Sequence, residues 1–425
     1  MLLRDSCSMS KFLFLYFYIF VLILSAQALT LDECIDETLK NHPDIKKLTL
    51  NVAQSKSFVD IAKADYMPQI NVGAQYNPHN TFVMPQNGQF KTINDDNWQV
   101  DASINQKIYD FSKTSLTIKA YEKNENIANI SLSDTKALLV YSVKNQYNLA
   151  LLQTKALESR EKDLQTKREL HKQAQALVRE GLKTEADATT ILSALYIAED
   201  NLAVAKADLH KALTTLSLYM GRKINFDTVL AEGTELQKIQ NEDSLLENVL
   251  AKNLSLKSSL EEIDKNSFIY DATKAQNYGS IDAIASYTHQ NSLNEYDVSL
   301  VGVSVKIPIY TGGRISAQTE QARLSKESAK ESYNSKKLLI QEEVESLIID
   351  LQRYKHTIKA KESLIESSKA SKEIVEARYK EGLSTYIEIL DAASTHLYAE
   401  LGLIEAKFAI NKIINQLEYL QGETK

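Results

Sequence analysis

Proline is nearly missing from this 425-residue sequence. Its five prolines are Pro43, Pro68, Pro78, Pro85 and Pro308. None falls between Pro85 and Pro308, and none follows Pro308. Glycine is scarce too, with 12 residues. Both residues punctuate loops, and proline breaks helix interiors. Their absence from two long stretches rich in Ala, Leu, Lys, Glu and Gln predicts long helices. Cysteine occurs twice, at Cys7 and Cys34. If the leader discussed below is removed, Cys34 alone remains and no intrachain disulfide is possible. Stability must then come from packing and association.

Other absences narrow the function. The net charge is −7, with no clustered basic face, which argues against nucleic-acid binding. The histidines, His42, His79, His171, His210, His289, His356 and His396, are scattered. None stands at metal-ligand spacing from a second ligand. No phosphate loop and no Gly-x-Ser-x-Gly elbow occurs. No metal, no cofactor and no catalytic residue is therefore expected, and the chain does not read as an enzyme. Beyond the N-terminus nothing is apolar enough for a transmembrane helix, so any membrane insertion must use strands closed into a barrel.

The N-terminus reads as an export signal spanning 1–28. Lys11 precedes the apolar run Phe12–Leu24, and Ala26-x-Ala28 fits a small-residue cleavage site. The run is about 13 residues, short of the ~20 that a spanning helix needs. Met9 offers a second possible start. Cys34 lies too far downstream for a lipoprotein anchor.

The remainder is an internal repeat. SINQKIYDFSK (Ser103–Lys113) resembles SVKIPIYTGGR (Ser304–Arg314), and EGLKTEAD (Glu180–Asp187) resembles EGLSTYIE (Glu381–Glu388). Both pairs have the same offset of 201. At that offset identities continue through Ser193, Ala198, Glu199, Leu202, Ala205, Lys206, Lys211, Leu216 and Gly221. The mature chain therefore divides into repeats at 29–240 and 241–425. Before the strands the offset slips to 211, from Lys63–Pro68 to Lys274–Gly279, and the extra residues are expected in the loop between the first repeat's strands.

Each repeat reads as helix, strand, strand, long helix, turn, long helix. Apolar residues alternate with polar ones at Ile70, Val72, Ala74 and Tyr76, and at Trp98, Val100, Ala102 and Ile104. They do so again at Ile281, Ala283, Ala285 and Tyr287, and at Val301, Val303, Val305, Ile307 and Ile309. Period two marks strands with one apolar and one polar face, as a barrel wall between lipid and water requires. The spacing from Tyr109 to Gly181 equals that from Tyr310 to Gly382. A helix of about 70 residues at ~1.5 Å each is roughly 100 Å long. The segments 183–221 and 384–421 then return antiparallel, with coiled-coil-type spacing at Leu202, Ala205, Leu209, Leu213 and Leu216. Gly181 and Gly382 stand where a helix terminator is needed.

Four strands cannot close a membrane barrel, because single-chain examples begin at eight. Unpaired edges are not tolerated in lipid, so closure requires several chains.

The residues now carry a resemblance. The opening Leu29–Ile70 resembles that of TolC-like outer membrane efflux proteins, with a short helix, Asn-x-Pro and a second helix leading to a strand. Val301–Arg323 resembles the family's strand-to-helix corner, and Arg378–Glu400 its second hairpin tip. Two departures stand out: Tyr278-Gly279 replaces a Leu-Pro, and Phe111-Ser112-Lys113 replaces a Gly-Gly-Arg. The resemblance implies a mainly α fold with a β-barrel part. It implies a homotrimer with a twelve-stranded barrel in outer membrane lipid and a twelve-helix tunnel across the periplasm. Its implied partners are a periplasmic adaptor protein and an inner-membrane pump, in an efflux or type I secretion system.

Site residues follow from the same resemblance. The tips Gly181, Leu182, Thr184, Gly382, Leu383 and Thr385 are expected to meet the adaptor. Glu388 and Asp391, three apart and so on one helix face, match an acidic pair lining the closed entrance. Rings of acids select cations, although such a pair also fits a merely solvated face. Tyr379 and Asp187 match positions linked across neighbouring hairpins to hold the entrance shut, while Ser384 replaces a basic partner found in some relatives. The rival reading is a periplasmic coiled-coil adaptor or structural protein, against which the duplicated strand pairs argue.

Overall fold

The computed structural model describes residues 28–232, 244–291 and 293–423. The expected leader up to residue 27 and the repeat boundary at 240/241 lie outside them. The elements are α1 (Leu31–Asn41), α2 (Pro43–Ala64), β1 (Gln69–Gln86), β2 (Gln89–Tyr109), α3 (Lys113–Arg179) and α4 (Glu185–Met220). They continue with α5 (Leu245–Lys252), α6 (Leu254–Ala275), β3 (Ser280–Asn291), β4 (Glu295–Lys306), α7 (Arg314–Lys380) and α8 (Tyr386–Leu420). The two long helices, α3 and α7, have 67 residues each.

The chain forms two compact units. One takes the residues up to Lys46, Ser133–Asn253 and Ile340 onward; the other takes Lys47–Leu132 and Leu254–Leu339. Each unit thus draws on both repeats.

In the first unit α4 buries Ala188, Ile191, Leu195, Ala198, Ala205 and Ala212. Steps of three, four and seven form a coiled-coil seam, and alanine lets the neighbouring helix approach closely. One core joins Cys34 and Ile35 to Val143, Tyr147, Leu213, Leu216 and Met220. Inside it the Tyr147 hydroxyl lies 2.8 Å from the Leu29 carbonyl and 2.7 Å from that of Ala231. Leu29 also pairs in parallel with Leu230. Burial pushes the Cys34 thiol up to about 12, so it stays protonated and unreactive. The repeats close in the same way. Asn41 Nδ2 donates to the Met220 carbonyl at 3.3 Å, and Asn253 Nδ2 to that of Leu420 at 3.0 Å. Each amide satisfies a last-turn carbonyl of a returning helix.

Among the described residues the second unit holds one antiparallel sheet in the order β1-β2-β3-β4, in which β1 and β4 have no further strand paired on their outer edges. Three sequence expectations change here. The extra residues of the first repeat do not form a loop: β1 and β2 have 18 and 21 residues, against 12 each for β3 and β4. The hairpin runs on to Gln86↔Gln89 past a register shift at Asn77/Asn80. Asn87 and Gly88, at φ 52° and 80°, close it with the positive-φ pair that a two-residue turn demands. β4 stops at Lys306, before Ile307 and Ile309, because Pro308 has no amide for the ladder.

The third change concerns the corners. Phe111 and Ser112 adopt φ 54° and 70°, matching Gly312 and Gly313 at 61° and 80°, so the geometry survives the loss of both glycines. Phe111 is braced by Tyr109 at 4.9 Å and Tyr278 at 5.4 Å between ring centroids. At Gly279, φ is 84° and a Cβ would fall 1.9 Å from the Lys306 carbonyl oxygen, so glycine is required there.

Candidate functional site

Two features are candidates for a functional site: one face of the sheet, and the joined hairpin tips. The strand register settles the first. Ile70, Ile104, Ala285 and Val301 lie in one row across the four strands. Ala74, Val100 and His289 lie in a parallel row on the same face, and the pairs Ala283↔Val303 and Ile281↔Val305 continue it. Asn71, Asp101, Ser103 and Asn105 take the opposite face. The alternation read from four separate segments therefore falls on one surface.

This apolar surface is bare. Val72 is 77% exposed, Val301 88% and Val303 64%. Aromatic side chains bound it at both ends. At one end stand Tyr76 and Trp98, the latter edge-on to His289 at 5.0 Å; at the other stand Tyr109, Phe111 and Tyr278. Along β2 from Trp98 to Tyr109 the rise is roughly 36 Å at ~3.3 Å per residue. A strand tilt of about 40° reduces this to roughly 28 Å, near the ~25 Å apolar band of outer-membrane barrels. Among the described residues no helix is long and apolar enough to cross a membrane.

The tips are two copies of one local device. Gly181 and Gly382 are left-handed, at φ 72° and 73°. Leu182 N–H donates to the Leu177 carbonyl at 2.9 Å, and Leu383 N–H to that of Arg378 at 2.8 Å, ending α3 and α7 in the Schellman manner. Thr184 and Thr385 then start α4 and α8 with complete capping boxes. The Asp187 carboxylate accepts the Thr184 N–H and the Glu388 carboxylate the Thr385 N–H, each at 3.0 Å. The Glu-Gly-Leu-x-Thr motif is thus the covalent pattern of a helix stop followed by a helix start. It leaves Leu182 and Leu383 61% and 69% exposed.

The other expected site residues fall as follows. Glu388 and Asp391 are both exposed on the first turns of α8. Glu388 has a second task, because its carboxylate also accepts the Ser384 hydroxyl at 2.6 Å. That bond, then the one from Thr385 N–H, holds its carboxyl below the usual carboxylate range. Tyr379 is fully buried in a core with Leu170, Ala174, Ala188, Ile191 and Ile389, drawn from all four hairpin helices. Among the described residues its hydroxyl finds no hydrogen-bond partner. Burial first, and the nearby Asp187 second, push the phenol up. Tyr379 and Asp187 therefore come together, but by proximity; the Asp187 carboxylate is occupied in capping α4.

Sequence reasoning missed Lys183. Its ammonium donates to the Ser384 carbonyl oxygen at 3.0 Å and lies 5.6 Å from the Tyr379 ring centroid. Positions 183 and 384 are repeat mates at the offset of 201, which was the available signal. The cation sought at 384 stands at the matching place on the other tip. Among the described residues no group of three His, Cys, Asp or Glu could hold a metal.

The outer membrane efflux protein family profile matches residues 34–222 and again 245–423. Outer membrane protein TolC of Escherichia coli (strain K12) is 24% identical over 416 residues, covering 92% of this chain and 81% of TolC. Among solved structures, CusC superposes with a TM-score of 0.81 at 17% identity, covering 92% of this chain and 91% of its own. VceC of Vibrio cholerae gives 0.80 at 16% identity, covering 92% and 96%. A profile matched in both halves, a sheet with a bare apolar face and duplicated helical hairpins converge: the chain belongs to the outer membrane efflux protein family and is an outer-membrane protein.

Proposed function

We propose that this chain is one subunit of a homotrimeric, passive exit duct with no enzymatic step. The observation that carries the reading is the apolar band on a sheet whose two edges are open. In lipid those edges must pair, and the band must face hydrocarbon. Pairing β1 of one copy with β4 of the next satisfies both needs, and three copies supply twelve strands. The polar face of β1 and β2 then lines a water-filled lumen.

The long hairpins extend the lumen into the periplasm as a twelve-helix tunnel. Leu182 and Leu383, exposed on rigid turns, meet a periplasmic adaptor, which couples the duct to an inner-membrane pump in an efflux or type I secretion system. Glu388 and Asp391 repeat around the axis as an acidic ring at the entrance, favouring cations. Tyr379 and Asp187 belong to the packing that keeps the tips together. The experiment is reconstitution of the purified protein into planar bilayers. Discrete conductance steps from a detergent-purified oligomer are expected; pure protein that inserts but never conducts ions would refute the duct.

A further inference from the structure

We infer that a cavity between α3, α4 and α8 binds a compact organic carboxylate with an apolar body, seated on Lys167 and Arg160. The cavity lies within the first unit and has a volume of about 400 Å³, which is in the range of small-molecule sites. Arg160, Asp163 and Lys167 reach it from α3, where steps of three and four put them on one face. Ala198 of α4 and Leu390 and Leu397 of α8 give it an apolar wall.

Lys167 is what suits the cavity to an anion. Its side chain is 6% exposed, yet among the described residues its ammonium has no hydrogen-bond partner. The Asp163 carboxylate stands 3.7 Å away, beyond hydrogen-bond reach. An ammonium has three donors, and leaving a buried cation's donors unmet is costly. Burial, the largest influence, holds this ammonium below the ordinary lysine value; Asp163 opposes the shift and Lys372 adds to it. Arg160 is half-buried and has no ion pair among the described residues. Two cations against one carboxylate leave the cavity positively charged beside an apolar wall. A carboxylate takes the free donors of Lys167 and the planar fork of Arg160, while its apolar remainder lies on the leucines. A cationic ligand meets like charge, and a neutral one leaves the ammonium uncompensated.

Naphthoate is the probe, titrated into the detergent-purified protein with its own fluorescence anisotropy as readout and empty micelles as blank. Wild type should bind it saturably, one per chain, and should bind naphthylmethanol, the same ring system without the charge, about tenfold more weakly. Lys167→Met should weaken naphthoate about tenfold and leave the alcohol unchanged, and Arg160→Gln should weaken naphthoate about threefold. Asp163→Asn should act the other way, tightening naphthoate about threefold, because it removes the like charge beside the incoming carboxylate. Melting temperature and mass in detergent check that each variant is folded; if Lys167→Met is not, Lys167→Gln takes its place, and the comparison of acid with alcohol on wild type decides without any variant. Four results overturn the site: no saturable binding to wild type, the alcohol binding as tightly as the acid, a folded Lys167 variant that binds naphthoate like wild type, or Asp163→Asn weakening it. The titration needs no conductance, so failure here leaves the duct reading standing, and a protein that never conducts leaves this site standing.

Discussion

Replacing Glu388 and Asp391 by their amides separates two roles that the tip geometry superimposes. Glu388 caps α8 through the Thr385 N–H at 3.0 Å and the Ser384 hydroxyl at 2.6 Å. An amide oxygen accepts both bonds, so Glu388→Gln/Asp391→Asn keeps the cap while deleting the charge. Each chain carries two of these carboxylates on adjacent turns, so three copies place six around the proposed axis. At 0.1 M salt the screening length is about 10 Å, so charges converging on a constriction act together; at 1 M it is about 3 Å and their field is lost. A perfectly cation-selective pore reads about 59 mV across a tenfold KCl gradient. Wild type should show a reversal potential of tens of millivolts toward that limit in dilute salt, shrinking in concentrated salt. The double amide should fall near zero in both, with a melting temperature only slightly lowered, because an amide oxygen keeps both capping bonds but accepts them more weakly than a carboxylate. The sign with pH follows from the Glu388 shift. Its folded value lies below the ordinary 4.5, so the cap's contribution is present above 4.5 and is lost as pH falls through the lower folded value. Selectivity should therefore persist at pH 5. An amide variant with wild-type reversal potential would refute the ring and leave these carboxylates only the capping task.

Three further outcomes test other parts of the account. Ser112 holds φ 70° without being glycine. Ser112→Gly should relieve a strain of ~1 kcal/mol and raise the melting temperature, whereas Phe111→Gly should lower it by removing the stack on Tyr109 and Tyr278. Leu182→Asp and Leu383→Asp should abolish export while oligomer mass in detergent is retained, because both side chains are exposed on the turns. The ribbon beyond Trp98 carries Lys91 outside the apolar band, so a membrane-impermeant amine reagent should label Lys91 on intact cells; its complete protection would reverse or displace the sheet in the membrane.

Much of this architecture was legible because it is duplicated. The Glu-Gly-Leu-x-Thr motif at Gly181 and Gly382 located both turns, and period two at Ile70–Tyr76 and Val301–Val305 located the strands. Register added what periodicity lacks, namely that all four apolar sets share one face. The ribbon at 77–97 was read as loop because asparagine and two prolines dominate it, although Asn87-Gly88 is a hairpin signal. The Phe111-Ser112 corner looked altered because side-chain identity changed, yet backbone conformation is set by the tertiary stack beneath it. Capping at Asp187 and Glu388 was written in Thr-x-x-Asp and Thr-x-x-Glu, but a pore role drew attention first. The contact of Lys183 with Ser384 joins two turns far apart in the chain, and local patterns carry no distance between them.

The central claim is that an open-edged, four-stranded sheet is completed by two further copies of the same chain. Multi-angle light scattering of the detergent-purified protein, corrected for bound detergent, tests it most directly. The account predicts a single species with the protein mass of three mature chains. A monodisperse monomer that retains its helix and strand content would contradict it.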